Sequence, residues 1–280
     1  MIDIVQDLDA LRARVAGWKR EGLRVGLVPT MGNLHPGHYT LIEALKPHVD
    51  RIVASVFVNP TQFGPNEDFD RYPRTPEADA HGLDDAGCDL LWLPSAETMY
   101  PLGVENAVKV SVPGVTETLD GAARPGHFDG VATVVARLFN QVQPDVAAFG
   151  KKDYQQLAVI QQMVRDLAFP IQILGGSIVR ESDGLAMSSR NQYLGEAERP
   201  VASRIRQALL LMRDATVAGK PRAEVEAAAI EQLAASGYVV DYAAIRRPDL
   251  SEPADAEQGS KVALIAARLG KTRLIDNLEF

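Results

Sequence analysis

The sequence predicts an α/β protein, a doubly wound parallel sheet with a smaller C-terminal α+β domain carrying an antiparallel sheet. Three observations predict it. Through about the first 180 residues short apolar runs alternate with helical patterns, which implies parallel strands joined by right-handed crossovers. One of these runs, RIVASVFVN at 51–59, is continuously apolar rather than alternating, as in a sheet covered on both faces. Beyond residue 180 two helical patterns precede three strand patterns with no helix between them. That is the order of an antiparallel unit. The expected domains are therefore 1–180 and 181–280.

The elements follow in chain order. LRVGLVPT (23–30) reads as a strand, and HYTLIEALKPH (38–48) has apolar residues at helical spacing. After the strand 51–59, TPEADAHGLDDAG (75–87) reads as a helix and CDLLWLP (88–94) as a strand. A helix over 130–143 leads to the strand DVAAFG (145–150), and a helix over 153–168 leads to IQILGGSIV (171–179). The later helices are expected over 198–219 and 222–237, followed by the strands YVVDYAAIR, KVALIAARLG and TRLIDNLEF.

With 280 residues, 46% hydrophobic and 24% charged, the chain has the composition of a globular protein with a substantial core. A net charge of −8 argues against a nucleic-acid partner, because phosphate contacts need a basic face. Small anions remain possible ligands, since a local pocket can oppose the global charge. The single cysteine, Cys88, precludes an internal disulfide and a cysteine metal site, and its apolar surroundings fit a buried structural thiol. No apolar run approaches membrane-spanning length, and the acidic, amphipathic start MIDIVQDLDALRARV is unlike a signal peptide. A cytoplasmic protein with no membrane partner is expected.

The stretch VGLVPTMGNLHPGH (25–38) leaves a strand and places His35 and His38 in one tight turn. In a doubly wound sheet ligands bind beyond the carboxyl ends of the strands. The glycines permit close backbone approach, and a helix starting near Gly37 or His38 offers free N–H groups and partial positive charge to a phosphate. Two imidazoles three residues apart can both donate to phosphate oxygens. On this stretch alone, two structural histidines in a loop remain an alternative. The G-x-G-x-x-G fingerprint and the G-x-x-x-x-G-K loop are both absent.

VPTMGNLHPGH resembles the HxGH signature of the nucleotidylyl-transferase superfamily, a Rossmann-like group acting on the α-phosphate of nucleotides. FVNPTQF (57–63), YPRT (72–75), RPGHFDGV (124–131), FGKKDYQQL (149–157), DGLAMSSRNQYL (183–194) and RLIDN (273–277) together resemble one member family, pantothenate synthetase or pantoate–β-alanine ligase. The resemblance runs from the first strand to the last. It implies condensation of pantoate with β-alanine to give pantothenate, AMP and pyrophosphate from ATP through a pantoyl-adenylate.

The resemblance also implies the site. His38 is expected as catalytic proton donor, with His35 and Lys152 as further catalytic groups. ATP is expected at Met31, Gly32, Asn33, Leu34, His35, Pro36, Gly37 and His38, and at Gly150, Lys151, Lys152 and Asp153. Val179 is expected at the adenine, and Met187, Ser188, Ser189 and Arg190 in a loop that closes over the phosphates, making the C-terminal domain a lid. Gln62 and Gln156 are expected to bind pantoate, with Gln62 also touching β-alanine, and Asn59, Arg124 and His127 to line the pocket. The family usually has Glu where this chain has Lys151, which is expected to be a solvated neighbour of Lys152. Mg²⁺ is expected with ATP, its protein ligands unknown, with Asp79 as one candidate. A homodimer is implied. Two rival readings stand beside this one, a transferase that keeps the nucleotide in its product and a non-enzymatic nucleotide sensor. The paired glutamines argue against the first and the intact transition-state donors against the second.

Overall fold

A computed structural model describes residues 2–64, 69–255 and 257–280. The chain forms two compact units, Met1–Lys151 with Val159–Ser177, and Lys152–Ala158 with Ile178–Phe280.

The first unit is built on β1 (Asp3–Val5), α1 (Leu8–Arg20), β2 (Val25–Thr30), α2 (Pro36–Leu45), β3 (Arg51–Val56), α3 (Pro76–Asp85), β4 (Leu90–Trp92), two short helices α4 (Ala96–Met99) and α5 (Asp120–Ala123), α6 (His127–Val142), β5 (Val146–Gly150), the part of α7 (Tyr154–Asp166) from Val159 on, and β6 (Gln172–Gly176). Its six strands are parallel in the order β1-β4-β3-β2-β5-β6. After β2 the chain builds outward through β3 and β4, then returns to add β5 and β6 on the other side. The switch point therefore lies between β2 and β5, where doubly wound sheets bind ligands. Both lead into sequence-predicted site stretches, β2 into the histidine turn and β5 into Lys151 and Lys152.

Central strands are apolar on both faces because helices cover both. Leu27, Val53 and Leu90 are fully buried, as are Ile42 and Leu45 of α2. Each such side chain contributes about 1.5–3 kcal/mol on burial. Trp92 is also fully buried, and its indole N–H donates to Gln141 Oε1 at 3.1 Å, so this donor is not stranded.

The second unit holds α8 (Arg204–Val217), α9 (Arg222–Ala235), β7 (Tyr238–Arg246), β8 (Val262–Leu269) and β9 (Thr272–Glu279). The strands pair antiparallel in the order β7-β8-β9. Ile205, Leu209 and Met212 of α8 pack with Val225 and Leu233 of α9 against the inner face of the sheet, on Ile245, Ala263, Ile265 and Leu274.

The fold class agrees with the expectation, with local differences, among them the strand expected over 51–59, which stops at Val56. The sheet gains β1, whose three residues are too few to show a period. The helix expected from 198 begins at Arg204, because residues 196–203 form successive turns. The strand expected to reach 179 stops at Gly176, so Val179 lies beyond the sheet.

Candidate active site

The histidine turn is held by side chains on both sides of it. At the end of β2, Thr30 Oγ1 donates to the Ser55 carbonyl at 2.8 Å and accepts the Gly32 N–H at 3.3 Å. Gly32 has φ +83°, and a Cβ there would press on Asp79 Oδ2 and Val56 at 3.0 Å. Asn33 follows at φ 51°, a conformation asparagine tolerates. Asp79 reaches in from α3 at 2% exposure. Its Oδ2 accepts the Asn33 N–H at 3.0 Å, and its Oδ1 accepts the Leu34 N–H at 2.8 Å and the Thr75 hydroxyl at 3.2 Å. Asp79, the magnesium candidate, thus has a structural role as well: its carboxylate accepts from the turn's own backbone. One helical turn on, a Cβ on Gly82 would collide with the Tyr39 hydroxyl, so one face of α3 both caps the turn and seats the residue after His38.

His35 is the N-cap of α2, with Pro36 as its first residue. His35 Nδ1 accepts the Gly37 N–H at 3.1 Å, and His38 Nδ1 accepts the His35 N–H at 3.2 Å. Histidines thus form the capping box usually made by Ser or Thr with Glu. The chemical consequence is direct. A ring nitrogen that accepts a hydrogen bond carries no proton, so each neutral ring carries its hydrogen on Nε2. The rings lie 4.1 Å apart at 44°.

The NPTQ turn, residues 59–62, is fixed equally tightly. Asn59 is fully buried. Its Nδ2 donates to the Gly130 carbonyl at 3.2 Å, and its Oδ1 accepts the Tyr100 hydroxyl at 2.7 Å and the Thr61 hydroxyl at 3.1 Å. Burial holds the Tyr100 hydroxyl above the ordinary tyrosine range, so it remains a donor. Gln62 is 9% exposed, and its carbonyl accepts His127 Nδ1 at 2.8 Å and Arg124 Nη2 at 3.2 Å. Arg124 Nη1 lies 2.9 Å from His127 Nε2. A guanidinium only donates, so His127 carries its hydrogen on Nδ1, the tautomer opposite to that of the two turn histidines. Asn59, Arg124 and His127, expected only to line a pocket, have identifiable framework roles around Gln62.

In the second unit two expected ligand stretches are tethered to β9. The Lys152 carbonyl accepts Asn277 Nδ2 at 3.0 Å. Val179 accepts the Met187 N–H at 2.9 Å across a short hairpin that also pairs Arg180 with Ala186. Ser188 Oγ accepts the Arg190 N–H at 3.2 Å, and Asn191 Nδ2 donates to the Ala186 carbonyl at 3.1 Å, shaping Met187–Arg190 as a compact turn. Asp153 follows Lys152, and Gln156 is half-buried in the first turns of α7. In the first unit Gly150 ends β5, and the half-buried Lys151 donates its N–H to the Gly176 carbonyl at 2.8 Å. Sequence reasoning gave no role to Tyr100, Asp276 or Asn277, although the last two lie in the RLIDN stretch that carries part of the family resemblance. Among the described residues, no three His, Cys, Asp or Glu side chains are placed to hold a metal ion.

Comparison with known proteins bears on this arrangement. The profile of the family described as pantoate-beta-alanine ligase matches residues 3–279. A pantothenate synthetase of Xanthomonas axonopodis pv. citri (strain 306) is 71% identical over 280 residues, covering 100% of both chains. The crystal structure of pantothenate synthetase from Thermus thermophilus superposes with a TM-score of 0.90 at 48% identity, covering 99% of each chain. The pantoate-beta-alanine ligase from Francisella tularensis, solved in complex with beta-gamma ATP and beta-alanine, gives 0.83 at 30% identity, covering 99% of this chain and 97% of that one.

Proposed function

The chain belongs to the pantoate–β-alanine ligase family, and on that premise we propose how its residues share the work of making the amide bond. The enzyme joins pantoate to β-alanine at the expense of ATP. A pantoate carboxylate oxygen attacks the α-phosphorus and pyrophosphate leaves, giving pantoyl-adenylate. The β-alanine amine, having lost a proton, then attacks the acyl carbon, and AMP departs with one former carboxylate oxygen.

The observation that carries this assignment is the capping pattern of His35 and His38. With both Nδ1 atoms accepting backbone hydrogen bonds, the neutral rings keep Nε2–H as a donor position, in the turn that follows β2 beside the switch point. Negative charge grows on the α-phosphate oxygens during attack, and fixed donors there stabilise the transition state without reorganising. His38 supplies the proton-donating contact and His35 the second donor. The N-terminus of α2 adds partial positive charge, and the backbone from Met31 to Gly37 admits the phosphates closely.

Lys152 supplies a mobile positive charge to the phosphates, with Gly150 and Lys151 beside it, and Asp153 accepts the ribose hydroxyls. Ser188, Ser189 and Arg190 meet the β- and γ-phosphates, flanked by Met187, and Val179 packs on the adenine. Gln62 and Gln156 orient pantoate through its hydroxyls. Neutral amides leave its carboxylate nucleophilic, whereas a tight cationic grip would blunt it. Residues 1–180 thus hold nucleotide and pantoate, and residues 181–280 supply the phosphate-side loop.

Mg²⁺ belongs to this reading as the partner of ATP. When bound it would neutralise charge on the leaving pyrophosphate, and it can keep most of its water shell and need few protein ligands. The cytoplasm and a homodimer complete the reading. The first is supported by the lone buried cysteine, the second by the family resemblance alone. No helix among the described residues is long and apolar enough to cross a membrane.

Isotope transfer tests the chemistry. Pantoate labelled with ¹⁸O in its carboxylate yields AMP carrying one label and unlabelled pyrophosphate. Label in inorganic phosphate, with ADP as co-product, would overturn attack at the α-phosphorus.

A further inference from the structure

We infer that Asn277 is a positioning residue for Lys152, and that the Asp276–Asn277 pair of β9 anchors both stretches carrying the second unit's phosphate ligands. The inference rests on the reading of Lys152 as a phosphate ligand.

Consecutive strand residues project to opposite faces, and this pair uses both. Asp276 shares a face with the core residue Leu274. Its side chain is fully buried and takes a two-pronged ion pair from Arg180, at 2.7 and 2.9 Å. Arg180 also donates to the Gly184 carbonyl at 3.0 Å and the Asn277 carbonyl at 3.3 Å. The hairpin that runs into Met187–Arg190 is thereby fastened to the end of β9. A buried pair this fully hydrogen-bonded holds geometry; removing one partner strands a charge.

Asn277 faces the other way, at 3% exposure. Its N–H donates to Asp276 Oδ1 at 2.8 Å, which ties the pair together, and its side-chain amide donates to the Lys152 carbonyl. Two residues on, on the same face, Glu279 engages the Tyr154 hydroxyl, which also reaches the Pro248 carbonyl at 3.3 Å. One edge of β9 therefore grips the chain at 152 and again at 154. This matters because a lysine side chain is long and flexible. Its ammonium samples a volume set by where its Cα is held, and Asn277 fixes that origin through the main chain without touching the ammonium.

A double-mutant cycle in the full-length chain tests the inference. Asn277→Ala, Lys152→Ala and the combined variant are assayed for kcat and for the KM of ATP and pantoate, with a thermal melt of each. Asn277→Ala is expected to lower kcat on the order of 10-fold, with the pantoate KM near that of the parent. In the Lys152→Ala background the same substitution is expected to cost nothing further. Losses that multiply independently overturn the positioning role while leaving Lys152 in place. A Lys152→Ala enzyme with parental turnover overturns the reading of Lys152, and the positioning role with it. Should Asn277→Ala fail to fold, Asn277→Ser, whose hydroxyl is too short to span the contact, completes the same cycle.

Discussion

His35 and His38 cap one helix together: each ring accepts a backbone hydrogen bond on Nδ1, and the two ring centroids lie 4.1 Å apart. In the proposed mechanism capping and catalysis use different nitrogens, and substitution can separate them. His35→Asn keeps an N-cap acceptor and removes the Nε2 donor. It is expected to melt close to the parent while turnover falls by roughly 10²–10³. His35→Ala is expected to lose the same activity and also about 1 kcal/mol of stability. Parental turnover in His35→Asn would leave the turn a structural feature only.

Asp79 holds the Asn33 and Leu34 N–H groups. In Asp79→Ala both part-buried groups lose their partner, at about 1 kcal/mol or more for each, and the histidines lose their fixed approach. Lower melting temperature together with lower kcat is the expected result. Titration of the residual activity with Mg²⁺ supplies the contrast. An unchanged half-saturating concentration fits a backbone anchor, and a large increase would identify Asp79 as a metal ligand.

Gly130 lies under the NPTQ turn, where an added Cβ would sit 2.9 Å from Thr61 Oγ1 and closer still to its carbonyl. Gly130→Ala is expected to cost about 1–3 kcal/mol from overpacking. Because the displaced turn carries Gln62, the KM for pantoate should rise more than that for ATP. Gly17, in α1 with open space around it, is the control. There alanine should stabilise by about 0.5–1 kcal/mol.

Burial pushes the Cys88 thiol from its ordinary 9.0 up to about 12, against smaller opposing effects of backbone hydrogen bonds. The thiolate is thus favoured in the unfolded chain. Below pH 9.0 the thiol is neutral in both states and its contribution to stability is fully present; as pH rises from 9.0 towards 12 that contribution is lost. At about pH 8 a thiol-specific reagent is expected to modify the protein only as fast as it unfolds. Rapid stoichiometric labelling of the folded enzyme would contradict the burial of this side chain.

The sequence by itself determined the layered α/β architecture, because strands covered on both faces are apolar along their whole length and helices are apolar at one spacing. Val25–Val28 and Arg51–Val56 show the first pattern plainly. It also indicated where the histidine turn falls, between a strand read as 23–30 and a helix read as starting near Gly37 or His38; the structure ends β2 at Thr30 and starts α2 at Pro36. β1 was not legible, since three residues define no period.

Tertiary structure alone decided what holds the site in place. Asp79 is 45 residues from Leu34 in sequence, and Asn277 is 125 from Lys152, yet each donates or accepts at hydrogen-bond distance. No local pattern encodes such a pairing. Burial fixes a polar side chain's partner only once the chain has folded around it, because until then water satisfies the same group equally well. The tautomers follow the same rule. The sequence shows His35, His38 and His127 as three identical imidazoles. In the neutral rings, the hydrogen bonds of the folded chain favour the hydrogen on Nε2 in the first two and on Nδ1 in the third.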